Sequence, residues 1–394
     1  MTKRIPPIVL VFFLQALSQG GLFSRLPDIQ QALGLDEATL GLALLGQPAG
    51  AILTFLVASP IVERTGTRSI ILWTVPLLAL TTMLLAAAPG AGLVFAAFAV
   101  FGAVFGLSNI ALNVEADRVE AAGDRRLMNT CHGVWSAGLL LASLLGTLMR
   151  ALGVSPLWHF GLIVPIVTAG ILLVALPMQP APPRPHAAAP ARIRIALPTT
   201  MTLLLLGYAI ASGLLDGGLR NWSVIFMRDS FAAPAWVDTL TLPAFMAAQM
   251  VGRLCSDWAL GRWGAVRLAR GLVVTAFAGL LLVVFSPNLL VALAGFTLIG
   301  LGVSASFPLT TSAAARLGDR PASENVAAVT MSQQVLLLGA PALLGWIASS
   351  YGIRMTFAVL LPPLLLAFWL AGYLVPGITL RSVPRAAPSA RPGS

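Results

Sequence analysis

Apolar residues run through this chain in long blocks, not in the alternating or one-sided patterns of a water-soluble domain. Each block is about 20 residues long, the length an α-helix needs to cross bilayer hydrocarbon. Breaking the sequence at turn and charge signals predicts spans at 6–24, 38–62, 69–88, 91–114, 129–150 and 156–177. A second set follows at 200–220, 236–256, 267–286, 289–313, 326–350 and 354–376. Between them lies 178–200, rich in Pro and Ala with Arg184, Arg192 and Arg194, which reads as an extended linker. The expected architecture is an all-α polytopic membrane protein of twelve transmembrane helices in two pseudo-symmetric six-helix bundles. The bundles should occupy 1–178 and 200–376, joined by a cytoplasmic linker over 179–199 and followed by a disordered cytoplasmic tail over 377–394.

Composition supports this. Only 10% of the 394 residues are charged and 58% are apolar, whereas a soluble domain carries about 25% charged residues and needs them to face water. The net charge of +10 points to asymmetric loops rather than to nucleic acid, because no basic run with interleaved aromatics exists. With the N-terminus inside, 19 of the 24 Lys and Arg fall on inner segments, and only Arg25, Arg150, Arg220, Arg228 and Arg354 on outer ones. Both termini are therefore expected in the cytoplasm, in an inner-membrane protein. Cys131 and Cys255 offer no disulfide framework. The start, Met-Thr-Lys-Arg and then an apolar run from Ile5, resembles a signal peptide but lacks a small-x-small cleavage site, so it reads as a retained first helix.

The two halves repeat a loop. After span 2 the chain reads Ser59-Pro-Ile-Val-Glu-Arg-Thr-Gly-Thr-Arg68, and after span 8 Gly252-Arg-Leu-Cys-Ser-Asp-Trp-Ala-Leu-Gly-Arg-Trp-Gly-Ala-Val-Arg267. Each is built as an acid, Arg-x-Gly, then Arg: Glu63, Arg64, Gly66 and Arg68 in one, Gly252, Arg253, Asp257, Arg262 and Gly264 in the other. The glycines permit a tight turn, and the acids can pair with nearby Arg at the helix ends.

These loops resemble the Gly-x-x-x-Asp-Arg-x-Gly-Arg-Arg signature of the major facilitator superfamily, with Ser59, Glu63 and Thr67 as departures in the first copy. Together with the 6+6 layout, the resemblance covers residues 5–376. Ser24-Arg-Leu-Pro-Asp28, Ala111 to Glu120, Met128 to Gly138 and Asn221-Trp-Ser223 look like the rhizopine-transport (MosC-like) branch, related to fucose-permease-type carriers. The resemblance implies a secondary carrier for a small polar solute such as a sugar or inositol derivative, with spans 1, 4, 7 and 10 lining a central cavity.

Polar side chains within apolar spans are costly, so they should face that cavity or one another. Gly102, Gly106, Asn109 and Asn113 form one stripe of span 4, suited to hydroxyl groups or to helix contact. Fucose-permease-type carriers place a proton-handling acid where Asn109 stands. Glu115 could substitute, or could form an interfacial ion pair with an Arg. In span 7, Tyr208, Ser212, Asp216 and Arg220 follow at four-residue steps. Asp216 reads either as a substrate or proton site or as half of a structural pair with Arg220 at the outer mouth. Trp222 either stacks on a sugar or anchors at the interface. Gln15 and Gln19 in span 1, Ser306 in span 10 and Gln333 in span 11 complete the candidate substrate-binding set.

Cys131 and His132 are adjacent, so on a helix they point about 100° apart and cannot readily act as nucleophile and base. No metal ligand set, nucleotide loop or cofactor signature appears, and no enzyme activity is expected. His132 reads as an inner-gate hydrogen bond, to Glu115 or Asn113, or as a titrating part of transport, and Asn129 as the cap of span 5. Span 5 also lacks the Gly-Pro element of drug–proton antiporters. The expected function is alternating-access transport of a small hydroxylated solute, with or without proton coupling, by a monomer. Export of amphipathic compounds and a transport-inactive sensor are the alternatives.

Overall fold

A computed structural model describes residues 6–123, 127–182 and 197–375, and among these every regular element is helical. Joining helices that continue across breaks of one or two residues gives twelve spans. Span 1 is Pro7–Ala32, broken at Gly21, and span 2 is Glu37–Leu44 with Gly46–Thr65. Spans 3 to 6 are Thr67–Ala87, Ala91–Gly123, Met128–Ala151 and Pro156–Ala175. Span 7 is Thr200–Ser230; a short helix, Ala235–Asp238, then precedes span 8, Thr241–Trp263. Spans 9 and 10 are Ala265–Val284 and Leu289–Ala315, and span 11 is Ala322–Leu338 with Ala340–Tyr351. Span 12 is Ile353–Leu374.

Ten of these segments are long and apolar enough to cross a membrane; spans 2 and 8, which carry the polar ends of the repeated loop, are the two below that mark. Leu173, Leu290, Trp158 and Trp369 stand exposed on the outside, as lipid-facing side chains do. One apolar core runs continuously from the first six spans into the second six, through residues such as Leu40, Phe98, Trp222 and Phe296, and another lies wholly within the first six.

Packing repeats between the halves. Span 1 lies against 5 and 6, span 2 against 4, and span 3 against 4 and 6. In the second half span 7 lies against 11 and 12, span 8 against 10, and span 9 against 10 and 12. Glycines set the approach: a Cβ on Gly279 would stand 2.6 Å from the Gly295 carbonyl oxygen, and one on Gly138 2.8 Å from the Phe13 carbonyl oxygen. Gly66 and Gly264 close spans 2 and 8 at φ of 79° and 76°, a region that favours glycine.

Alternation of the spans defines two ends. One, the basic face, carries Arg64, Arg68, Arg118, Arg262, Arg267, Arg270, Arg316 and Arg320; the far face carries Arg25, Arg150, Arg228 and Arg354. The linker and tail arginines lie outside the described residues.

Several boundaries differ from the hydropathy pattern. Spans 1, 4 and 7 run on to Ala32, Gly123 and Ser230, because a helix needs only backbone hydrogen bonds, not apolar side chains, to continue beyond the hydrocarbon. Ser24 to Asp28 therefore lie inside span 1. Span 5 starts at Met128 with Leu127 as its N-cap residue, so Asn129 is inside the helix. The Glu120 carboxylate accepts from the amides of Leu127 and Met128 at 2.6 and 3.0 Å.

Candidate functional site

The halves meet through three pairs of spans: 2 with 11, 5 with 8, and 1 with 7. On the far face they touch closely. Gly41 of span 2 and Gly345 of span 11 cross so tightly that a Cβ on Gly41 would lie 2.6 Å from the Pro341 carbonyl oxygen and 3.1 Å from Gly345 Cα. Arg228 of span 7 donates to Gln30 Oε1 of span 1 at 3.0 Å, and Thr239 Oγ1 to Thr147 Oγ1 of span 5 at 2.9 Å. Moving toward the basic face, the next polar contact across the seam is from Arg253 Nη1 to Ser136 Oγ, at 3.1 Å. Beyond it His132 and Gly133 are exposed, as are Met331 and Val335 of span 11. The seam is closed at the far face and open at the basic face.

Asp216 sits near the middle of the 31-residue span 7, not at its mouth. Arg220 grips it with two hydrogen bonds, Nε to Oδ2 at 2.8 Å and Nη2 to Oδ1 at 3.1 Å. Gln249 of span 8 donates to Asp216 Oδ1 at 2.9 Å and accepts weakly from Arg220 at 3.4 Å, and the guanidinium lies over the Phe245 ring. The predicted i,i+4 pair therefore forms, with Gln249 as a partner the sequence reading missed. One turn along span 8 comes Arg253. The loop signature assigned it to the basic face, yet it lies ten residues before the end of its helix, about 15 Å at the α-helical rise.

In the first half, Gln15 is wholly buried and fully engaged: it donates to Ser108 Oγ at 3.1 Å and accepts from Trp135 Nε1 at 2.9 Å. Gln19, also buried, has no partner for Nε2 among the described residues. Half-buried Asn109 and Asn113 bond to each other, Asn113 Nδ2 reaching the Asn109 carbonyl at 2.7 Å and its Oδ1 at 3.1 Å. Gly102 of the same stripe packs against the Gln47 backbone of span 2, so it serves helix contact.

In the second half, buried Tyr208 points its hydroxyl at Ser306 Oγ, 3.5 Å away, and Gln333 donates to the Ala209 carbonyl at 3.2 Å. Ser212 bonds back to Ala209. Trp222 neither stacks in a cavity nor anchors at an interface: it is fully buried beside Gly345, its Nε1 without a partner among the described residues. Span 7 continues past it, and the crossing of spans 2 and 11 covers it.

Three further expectations are corrected. Glu115 makes no ion pair among the described residues; its buried carboxylate accepts from Thr67 Oγ1 at 2.5 Å and from the Ala181 amide at 2.9 Å, tying span 4 to span 3 and to the segment after span 6. His132 reaches neither Glu115 nor Asn113, because it projects from span 5 onto the Phe12 edge, 5.5 Å away, on the side of the seam facing Arg253. Arg68 caps span 6 by donating to the Ala175 and Leu176 carbonyls, and Asp257 and Arg262 stand exposed, with no ion pair between them or to another of the described residues. Among the described residues no His/Cys/Asp/Glu cluster could hold a metal.

Two duplicated helical bundles, lipid-facing outside and meeting along a polar seam open at one end, define a membrane transport protein rather than an enzyme. The chain belongs to the Major Facilitator Superfamily, whose model matches residues 8–337, and is thus a secondary transporter of a small-molecule substrate. It is 28% identical over 352 residues to the uncharacterized transporter y4wD of Sinorhizobium fredii, covering 88% of this chain and 92% of that protein. Membrane protein MosC of Rhizobium meliloti is 26% identical over 355 residues, covering 89% and 84%. A variant of the nucleoside transporter NupG matches in fold with a TM-score of 0.74 at 14% identity, covering 93% of this chain and 98% of that one.

Proposed function

We propose that this transporter moves a small hydroxylated solute, of the sugar, polyol or inositol-derivative class, across the cytoplasmic membrane by alternating access. The basic face is cytoplasmic on this reading, following the bias of Lys and Arg to inner loops. Residues 1–178 and 200–376 are the rocking bodies, 179–199 their tether, and the chain is kin to the MosC-like branch. The observation that carries the proposal is the mid-depth seam, where Ser136, Asp216, Arg220, Gln249 and Arg253 bring hydrogen-bonding groups from both halves together. Asn109, Asn113 and Ser212 add amide and hydroxyl groups from the spans expected to line the path. Gln15, Gln19, Tyr208, Trp222, Ser306 and Gln333 act behind them, holding the walls in place. Solute enters from the basic face in the arrangement described; separating Gly41 from Gly345 and Thr239 from Thr147 opens the far face. Asp216 is the proton-coupling candidate, releasing Arg220 when protonated.

Sealed vesicles containing the purified chain test this. Uptake of a sugar, polyol, inositol or an acid derivative of one of these, faster under an inward proton gradient, is the expected result. Extrusion of lipophilic dyes alone, or no flux of any solute, would overturn it.

A further inference from the structure

The charges along the seam do not balance. Asp216 spends both oxygens on Arg220 and Gln249, and Arg220 is answered by it. Arg253 is not: its Nε donates to the Ser304 carbonyl at 3.3 Å and its Nη1 to Ser136 Oγ at 3.1 Å, and among the described residues it has no ion-pair partner. The groups facing it are His132 and Ser136 from span 5, Asp216 and Arg220 from span 7, and Ser304 from span 10. With His132 neutral, the seam holds one net positive charge at mid-depth. Arg253 stands exposed in this arrangement, so its charge remains open to solvent. Closing that face would bury an unpaired cation, which is strongly unfavourable unless an anion arrives with the solute.

We propose that the carried solute bears an anionic group, a carboxylate on a hydroxylated skeleton, and that Arg253 binds it across from Ser136 and His132. A planar guanidinium suits a carboxylate, and among the described residues the Arg253 Nη2 makes no hydrogen bond. Ser136 already donates to the His132 carbonyl at 3.0 Å, so its oxygen is an acceptor that a solute hydroxyl can take over from Arg253. The anion also gives a reason for the carrier to close only when loaded. This rests on the hydroxylated-solute reading above and adds the charge to it.

The test is thermal melting of the purified full chain with glucuronate, gluconate, glucose, glucosamine and myo-inositol, since a bound solute raises apparent stability. The expected result is stabilisation by an acid and not by the neutral or amino compounds. Arg253→Gln should weaken acid binding about 10- to 150-fold, the loss of a charged hydrogen-bonded contact, while Arg253→Lys retains part of it. A residue that merely braced the halves would instead lower the melting temperature equally with and without acid. Stabilisation by glucose, myo-inositol or glucosamine without an acid effect would overturn the anion and leave the hydroxylated solute standing. Stabilisation by none of the five would overturn the anion, and a response to lipophilic dyes alone would overturn both.

Discussion

Gly41→Ala adds one methyl group at the crossing that closes the far face. Its Cβ would lie 2.6 Å from the Pro341 carbonyl oxygen, 3.1 Å from Gly345 Cα and 3.2 Å from Ala342 Cα. All three are backbone atoms, so no side chain can swing aside, and spans 2 and 11 must separate. Overpacking of this kind costs about 1–3 kcal/mol. The cost falls only on the far-face-closed arrangement, so the open form gains about 5- to 150-fold in population. The reporter is Thr147→Cys, whose native hydroxyl is buried against Thr239, in a background with Cys255 replaced by Ser; Cys131 is buried. Labelling by a membrane-impermeant maleimide from the far side should rise in proportion to the open population. An unchanged labelling rate in a protein that melts normally would refute the claim that this crossing holds the far face shut.

Two further outcomes follow from charged groups. Asp238 lies in the short helix outside span 8, almost wholly buried, one carboxylate oxygen unpartnered among the described residues, and burial pushes its pKa up to about 6 against the opposing pull of Arg150 and Arg228. A carboxyl that binds its proton more tightly when buried favours the closed far face as pH falls. That gain begins near pH 6, is complete below its ordinary value near ~4, and amounts to about 3 kcal/mol. Spin labels at Gln31→Cys and Ala232→Cys should thus report a more open far face at pH 7 than at pH 5, and Asp238→Asn should erase the difference; a pH response surviving in Asp238→Asn would count against it. At mid-depth, Arg220→Gln should cost about 2–4 kcal/mol by stranding the partly buried Asp216. Adding Asp216→Asn should recover most of that melting temperature, whereas additive losses would mean the two side chains act independently.

The helical blocks and the two positive-φ turns at Gly66 and Gly264 were legible because both depend on local properties, lipid solubility and backbone freedom. Span ends were less so: the charged tail of span 4 and the far end of span 7 remain helical without an apolar signal. The same logic governs the site. Asp216 and Arg220 are neighbours on one helix, and their spacing alone brings them together. Gln249 and Arg253 belong to another helix, and the loop signature drew Arg253 toward the surface although it stands mid-helix. A hydrogen bond from His132 to Glu115 or Asn113 was one of two readings, because all three residues lie near the same end of their spans. Which faces of two helices oppose each other is fixed by packing, here by Ala16 and Phe13 against Gly138, and no single-span pattern carries it.

Alternating access requires the far face to open in every transport cycle. Thr147 and Thr239 face each other across the seam, 2.9 Å between hydroxyl oxygens, so Thr147→Cys with Thr239→Cys, in the Cys255→Ser background, should form a disulfide that locks this face shut. The most direct measurement is exchange of radiolabelled solute across vesicles carrying that double variant, using whichever solute the flux panel identifies. Exchange should stop on oxidation and return on reduction. Full cross-linking with undiminished exchange would contradict the account.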